Sequence, residues 1–226
     1  GVTVLVAELV GTGLQDLDVD PTLAPYSTNV TLQYLEGLDS PGGLTSLQVA
    51  VEPNFVVASA SAGETITTIA LAQNLGGTPF STTVGVNSGT QTVDGNYVWL
   101  FQDATHANVV IGVIGTSDPA AQPSASGSLA FSFALINTSN TNADLYVVQY
   151  VALLNPDTTD PDDRIDLTNK VFASVTGTTT LNFSGQNAAP GNHDFYVINS
   201  PDDATKQILV TGFLGQANAT ANVSTQ

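Results

Sequence analysis

The stretch LAFSFALI at residues 129–136 decides the fold class of this chain. Phe131, Phe133 and Leu135 alternate with Ser132 and Ala134, and LYVVQYV at residues 145–151 has the same period of two. This period places successive residues on opposite faces of a β-strand. Both stretches are therefore predicted to be core strands of an antiparallel sheet, each with one wetter face.

Short apolar runs on both sides of these two stretches predict further strands, because Gly, Pro, Asn and Asp separate them. The predicted strands are residues 2–10, 29–34, 47–51, 55–59, 65–71, 96–102, 109–114, 128–136, 145–153, 171–175, 179–183, 195–198 and 207–212. Short strands at this spacing favour an all-β fold, an antiparallel β-sandwich with Greek-key links and long acidic loops. One helical turn is predicted at residues 200–205, because Ser200 can cap it and Pro201 can open it.

The length of 226 residues is enough to bury a full core. All-β sandwiches of this size often form one domain, so residues 1–226 are predicted to be a single domain. The missing initial Met and the ending at Gln226 suggest a segment of a larger protein, in which this domain is expected to be monomeric.

The charge balance limits the partners of the protein. The chain has 20 Asp and Glu against 3 Lys and Arg, which gives a formal net charge of −17. Such a surface repels phosphate backbones, so nucleic acid is excluded as a partner. No apolar run approaches ~18 residues, and no membrane insertion is expected. The absence of Cys suits a reducing cytosol or an exported bacterial protein, and the acidic, Lys-poor surface favours the second, outside the cell.

Five aspartates crowd into NPDTTDPDDRID at residues 155–166. Neighbouring carboxylates repel one another, and a hard divalent ion with oxygen ligands relieves that repulsion. Calcium is the predicted cofactor, and Arg164 is expected to pair with one carboxylate. The alternative is a flexible acidic loop that binds no metal. The predicted ligands in this loop are Asp157, Asp160, Asp162, Asp163 and Asp166.

Two other acidic groups are candidates for metal binding. One flanks the predicted strand 195–198 and consists of Asp194, Asp202 and Asp203. The other consists of Asp16, Asp18 and Asp20. It begins like an EF-hand loop, but Pro21 replaces the glycine that such a loop requires. That group is interpreted as a flanking calcium site or as a solvated edge strand.

The sequence shows no motif of a nucleophilic or zinc-dependent enzyme. The chain has no Cys nucleophile and no Gly-x-Ser-x-Gly motif, and His193 and Asp194 would lie on opposite faces of a strand. His106 and His193 match no zinc spacing. A carboxylate pair for glycoside hydrolysis stays open, because such pairs come from distant strands. We therefore expect the protein not to be an enzyme.

A faint internal repeat joins two parts of the chain. The triplet Asp-Ala-Thr occurs at residues 103–105 and 203–205, and Gly112 and Gly212 follow at the same distance. The repeat predicts two similar hairpins, unless it arises by chance.

Several stretches together resemble the domains of giant type I-secreted RTX (repeats-in-toxin) adhesins. They are GNYVWLF at 95–101, VIGVIGT at 110–116, LAFSFAL at 129–135, VQYVALLNP at 148–156 and DDRIDL at 162–167. The resemblance covers residues 89–176 well and residues 195–224 loosely. The first 85 residues carry no motif of the family, and its Gly-Gly-x-Gly-x-Asp repeats are absent from the sequence.

The resemblance implies a calcium-stabilised β domain on the bacterial cell surface. Such a domain binds a peptide or protein on a host or neighbouring cell, in attachment or biofilm formation, or extends the adhesin without a ligand of its own. Size favours the binding module, and a carbohydrate-binding module is a further alternative. The ligand site is predicted where the acidic loop meets aromatic residues. Its predicted residues are Tyr97, Tyr196 and Arg164, whereas Trp99 is expected to lie in the core.

Overall fold

The computed structural model describes residues 23–24, 26–38, 48–60, 64–154, 167, 169–184, 193–199, 207–214 and 218–225. Of these residues, 48% lie in strands and 9% in helices, and the strand pairs are antiparallel. The predicted all-β, antiparallel fold class is confirmed. Within the described part of the chain, no helix is long and apolar enough to cross a membrane. The predicted strand 2–10 and the predicted turn 200–205 lie outside the described residues.

The chain divides into two compact units. The first consists of Gly1–Val57 and Ile69–Ser174, and the second consists of Ala58–Thr68 and Val175–Gln226. The single domain over residues 1–226 stays a prediction.

The first unit contains a six-stranded antiparallel sheet that curls into a half-barrel. Its spatial order is β1-β7-β6-β5-β4-β3, so β3 to β7 form an unbroken meander and β1 lies beside the last strand of that run. In a Greek key, a strand at one end of a run of hairpins lies beside the strand at the other end, and a long connection joins it to the run. The position of β1 beside β7 has this feature. The strands are β1 (Gln48–Val57), β3 (Val86–Gln91), β4 (Tyr97–Gln102), β5 (Val109–Ile114), β6 (Leu129–Asn137) and β7 (Asn142–Gln149).

The central strands bury both of their faces. Every residue from Leu129 to Leu135 is buried, and so is every residue from Leu145 to Tyr150. The prediction of a wetter face on these strands is therefore wrong. Ser132 and Gln149, which suggested that face, are 0% and 1% exposed, and the Ser132 hydroxyl is hydrogen-bonded to the Tyr150 hydroxyl. The Gln149 side-chain nitrogen donates to a backbone carbonyl at 2.9 Å, whereas its buried side-chain oxygen has no hydrogen-bond partner among the described residues.

One face of the curled sheet packs against a helix, α1 (Val30–Gly37). The strand predicted from the sequence at residues 29–34 is therefore wrong. Asn29 is the N-cap, since its side-chain oxygen accepts a hydrogen bond from the Leu32 backbone N–H at 3.0 Å. Leu32 and Leu35 are one helical turn apart and completely buried in the core cluster. The burial of these two leucines against the sheet stabilises a helix here in place of a strand.

Several strand boundaries also differ from the prediction. The predicted strands 47–51 and 55–59 are one strand, β1, with a bulge between Glu52 and Val56. In the bulge, Asn54 has φ of 53° and its backbone N–H donates to the Asp144 carboxylate. Pro53 and Asn54 therefore kink the strand and do not end it.

The second unit contains two small antiparallel sheets. One has the order β11-β8-β2 and the other pairs β10 with β9. The predicted strands 171–175 and 179–183 are one strand, and β3 and β11 were not predicted. The strands are β2 (Glu64–Ala72), β8 (Phe172–Ser184), β9 (His193–Asn199), β10 (Gln207–Leu214) and β11 (Asn218–Thr225), and β2 and β8 contribute residues to both units.

Candidate functional site

The acidic segment 157–166 joins two buried positions of the first unit. Leu153 before it is 1% exposed, and Leu167 and Val171 after it are 0% exposed. Leu153 forms a β-bridge with Thr92, and the Val171 backbone N–H donates to the carbonyl of Leu167. Described residues on both sides of the segment are therefore buried in a packed core. The predicted ligands Asp157, Asp160, Asp162, Asp163 and Asp166, together with Arg164, lie outside the described residues.

The second predicted acidic group lies partly on β9. Asp194 pairs with Phe213 and Tyr196 pairs with Val210 in the β9–β10 ladder. Residues two apart on a strand share a face, so Asp194 and Tyr196 lie on the same face of β9. Asp202 and Asp203 lie outside the described residues, and so do Asp16, Asp18 and Asp20.

The predicted aromatic residues of the first unit lie at the start of β4. Tyr97 is half-buried and packs against the core cluster, whereas Trp99 is 9% exposed and belongs to that cluster. The prediction that Trp99 is a core residue is confirmed. Tyr97 belongs to the first unit and Tyr196 to the second, so the ligand site that combines them stays a prediction. Among the described residues, no group of three or more His, Asp or Glu could hold a metal ion.

A polar cluster that was not predicted from the sequence links α1 to the loop between β4 and β5. We call it the Asp103 latch, and it consists of Tyr34, Asp103, Thr105 and His106. Asp103 Oδ1 accepts hydrogen bonds from the Thr105 backbone N–H at 2.9 Å, the Thr105 hydroxyl at 2.8 Å and the His106 backbone N–H at 2.7 Å. Asp103 Oδ2 accepts a hydrogen bond from the Tyr34 hydroxyl at 2.9 Å. The Tyr34 and His106 rings also pack together, with centroids 3.7 Å apart.

The surroundings of the Asp103 latch shift the pKa values of two of its members. Burial alone raises the pKa of Asp103, but the bonds from Thr105, His106 and Tyr34 outweigh it and hold this pKa below its ordinary value. Burial also raises the pKa of Tyr34. The Thr105 hydroxyl also lies 2.8 Å from His106 Nδ1, and the tautomer of His106 decides which of the two donates.

This arrangement suits a structural role better than a chemical one. Four donors already occupy the Asp103 carboxylate, so little acceptor capacity is left for a cation or a substrate proton. A second contact fixes the same helix, since the buried Tyr150 hydroxyl donates to the carbonyl of Leu35. Together these bonds hold α1 on the sheet at two points.

One signal for the Asp103 latch was present in the sequence. The triplet at residues 103–105 is an Asp whose side chain accepts from the backbone two residues later, which is an Asx-turn. The repeat at 203–205 lies outside the described residues, between the antiparallel strands β9 and β10. Gly112 and Gly212 both lie at register shifts of their ladders. The signal from Tyr34 was absent, because that residue is distant in sequence.

Replacing Asp103 by Asn is expected to destabilise the protein at neutral pH and to flatten its stability profile in acid. Because the folded-state pKa of Asp103 is lowered, its contribution is present above the unfolded carboxyl pKa of ~3.9 and is lost as pH falls through the folded value. The gap between parent and Asp103→Asn should therefore shrink below about pH 4. Urea unfolding at several pH values measures it. The control Asp94→Asn removes an exposed carboxylate, and an equal effect of both variants would contradict the latch.

Comparisons with known family models, curated proteins and solved structures find no match to this chain. The described residues define the class as an all-β protein, with a curled antiparallel sheet against which the helix α1 packs.

Proposed function

We propose that this chain is the calcium-dependent ligand-binding domain of a bacterial cell-surface adhesin. Its ligand is a peptide or protein on another cell or surface, and calcium holds the acidic loop 157–166 in its binding form. The observation that carries the proposal is the anchoring of this loop between Leu153 and Leu167, both buried in the core. Calcium bound between these two buried positions would offset the repulsion among the five carboxylates.

The donor set of the loop suits calcium. Its side chains offer carboxylate and hydroxyl oxygens and no thiol or imidazole, and calcium takes six to eight oxygen ligands. Bound calcium would bring the carboxylates together and leave Arg164 to meet a peptide carboxylate or one of the aspartates. Binding residues concentrate in loops on a rigid scaffold, and the half-barrel sheet is such a scaffold.

A library of immobilised peptides with free carboxyl ends tests the proposal. We expect some peptides to retain the protein at millimolar free calcium and to release it when EDTA is added. None of the peptides would retain an extender domain in either buffer. An enzyme would shorten or modify the peptides that it binds. Retention that EDTA leaves unchanged would refute the calcium-dependent site while keeping a peptide-binding function.

A further inference from the structure

Five Asn-x-Ser/Thr triplets occur in the sequence, at Asn29, Asn137, Asn182, Asn218 and Asn222. This triplet is the acceptor motif of N-linked glycosylation, and a transferase needs access to the asparagine side chain. In a chain so rich in Thr, Ser and Asn, composition alone produces such triplets. The structure describes the asparagine side chains of Asn29 and Asn137, and it places these two in opposite situations.

The carboxamide of Asn29 is already used by the fold. Asn29 is half-buried and is the N-cap of α1, where its Oδ1 accepts a hydrogen bond from the Leu32 backbone N–H at 3.0 Å. Glycosylation would have to pull this side chain away from the helix end and leave a backbone N–H without its partner. The folded protein therefore withholds Asn29 from a transferase.

Asn137 lies at the last position of β6, where this strand leaves the core. Residues two apart on a strand share a face, so Asn137 continues the row of Phe133 and Leu135. Those two residues are 0% and 3% exposed, whereas Asn137 and residues 138–140 are exposed. Among the described residues, none is hydrogen-bonded to the Asn137 carboxamide. This asparagine is therefore presented to solvent with its side chain unused.

Other residues hold the turn between β6 and β7 in shape. The Ser139 hydroxyl accepts hydrogen bonds from the backbone N–H groups of Thr141 at 3.2 Å and Asn142 at 3.0 Å. The Asn142 side chain donates to the Asn54 side chain at 3.1 Å. A sugar on the Asn137 side chain would leave these bonds and the β6–β7 ladder in place. Ser139, the hydroxyl residue that the motif requires, is itself exposed at the turn.

We propose that Asn137 is an N-glycosylation site that a transferase modifies in the folded protein. The co-reactant is a sugar activated as a glycosyl diphosphate. Asn137 Nδ2 attacks the anomeric carbon of this sugar and gives up one proton to a base of the transferase. The bond from the anomeric carbon to the diphosphate oxygen breaks, and the diphosphate leaves with the electron pair. One carbon–nitrogen bond replaces one carbon–oxygen bond, and nothing is oxidised or reduced.

The proposed site lies at the far end of β7 from the acidic loop. β7 begins at Asn142, beside the turn, and ends at Gln149, roughly 24 Å further along the strand. The chain then continues from Gln149 to Leu153 and the acidic segment. A glycan at Asn137 would be bulky and solubilising, and it would stand away from the end of β7 that leads to the acidic segment. This inference does not depend on the proposed function.

Incubation of the full folded chain with UDP-glucose and a purified soluble N-glycosyltransferase specific for the triplet tests the proposal. An aspartate-specific protease then releases Asn29 and Asn137 in separate peptides, since Asp39 and Asp118 lie between them. Mass spectrometry measures the hexose on each peptide over time. Synthetic peptides of residues 20–38 and 118–143 give the rate of each triplet without the fold. Relative to its peptide, Asn137 should react at least about fivefold faster than Asn29, because the helix cap must open first.

Variants of the turn supply the controls. Asn137→Gln and Ser139→Ala should each leave position 137 without hexose, whereas Ser139→Thr keeps the motif and should be modified like the parent. Asn140 is exposed in the same turn but has Asn142 at the second position after it, so it should stay unmodified.

Three results would overturn the proposal. The first is a folded chain without hexose at Asn137 although the peptide accepts it. The second is a folded chain that is modified at Asn29 as readily as at Asn137, each relative to its peptide. The third is a peptide of residues 118–143 that stays unmodified, because the triplet would then be no acceptor.

Discussion

Calcium is expected to raise the free energy of unfolding of this protein by about 2.7 kcal/mol when its free concentration is about 100 times the dissociation constant. The reason is that five aspartates lie in sequence between the buried residues Leu153 and Leu167, and calcium that binds them in the folded protein but not in the unfolded chain stabilises the fold. For a domain of this size, the melting temperature should rise by roughly 5–10 °C. Thermal unfolding in EDTA and in millimolar calcium, followed by circular dichroism, measures the shift.

The double variant Asp162→Ala and Asp163→Ala should lose most of the calcium-dependent rise in melting temperature. It should also no longer bind peptide ligands. In EDTA it should melt at or above the temperature of the parent, because two repelling charges are gone. The control Asp94→Ala with Asp118→Ala removes the same charge from exposed positions outside the loop, and it should respond to calcium like the parent. If the loop variant keeps the full shift, the calcium site lies elsewhere in the chain.

Strands with a clear period or a dense apolar run could be predicted from the sequence. The predicted strands 96–102 and 109–114 match β4 and β5 almost residue for residue. β3 was missed because its buried residues are polar. Ser88 and Thr90 are 3% and 8% exposed, and the Ser88 hydroxyl donates to the Val98 carbonyl at 2.7 Å. A strand that buries hydroxyls has no apolar period to detect.

The helix α1 could not be predicted for a different reason. Val30, Thr31 and Tyr34 favour a strand locally. The apolar run is also too short for its period to distinguish a helix from a strand. The deciding energy comes from Leu32 and Leu35, which fit a curved sheet face built from residues 49 to 150. These contacts join residues that are distant in sequence, so the local propensities of residues 30–37 cannot predict them.

The candidate sites also differ in whether their residues are close together or far apart in the sequence. The acidic loop is a local feature, so its aspartates could be named from the sequence. The Asp103 latch combines Tyr34 with a turn about seventy residues later. Sites of this kind become visible only when the register and the packing are known.

Replacing Leu35 by Ala is expected to destabilise the protein by about 2–5 kcal/mol. Leu35 is 0% exposed and belongs to the core cluster that contains Trp99, Phe101 and Tyr150. Its removal leaves a cavity under the helix, at the position where the Tyr150 hydroxyl donates to the Leu35 carbonyl. Trp99 is the only tryptophan of the chain, so its fluorescence reports the unfolding of this cluster in a urea titration.

The same helix provides the control for this experiment. Val30 is 79% exposed, and Val30→Ala should change the free energy of unfolding by no more than about 0.5 kcal/mol. Alanine is also the better helix former, so any small effect should be stabilising. A loss in Leu35→Ala no larger than in Val30→Ala would show that α1 does not pack on the sheet. The Asp103 latch would then have no helix to hold, since Tyr34 reaches Asp103 only from a docked α1.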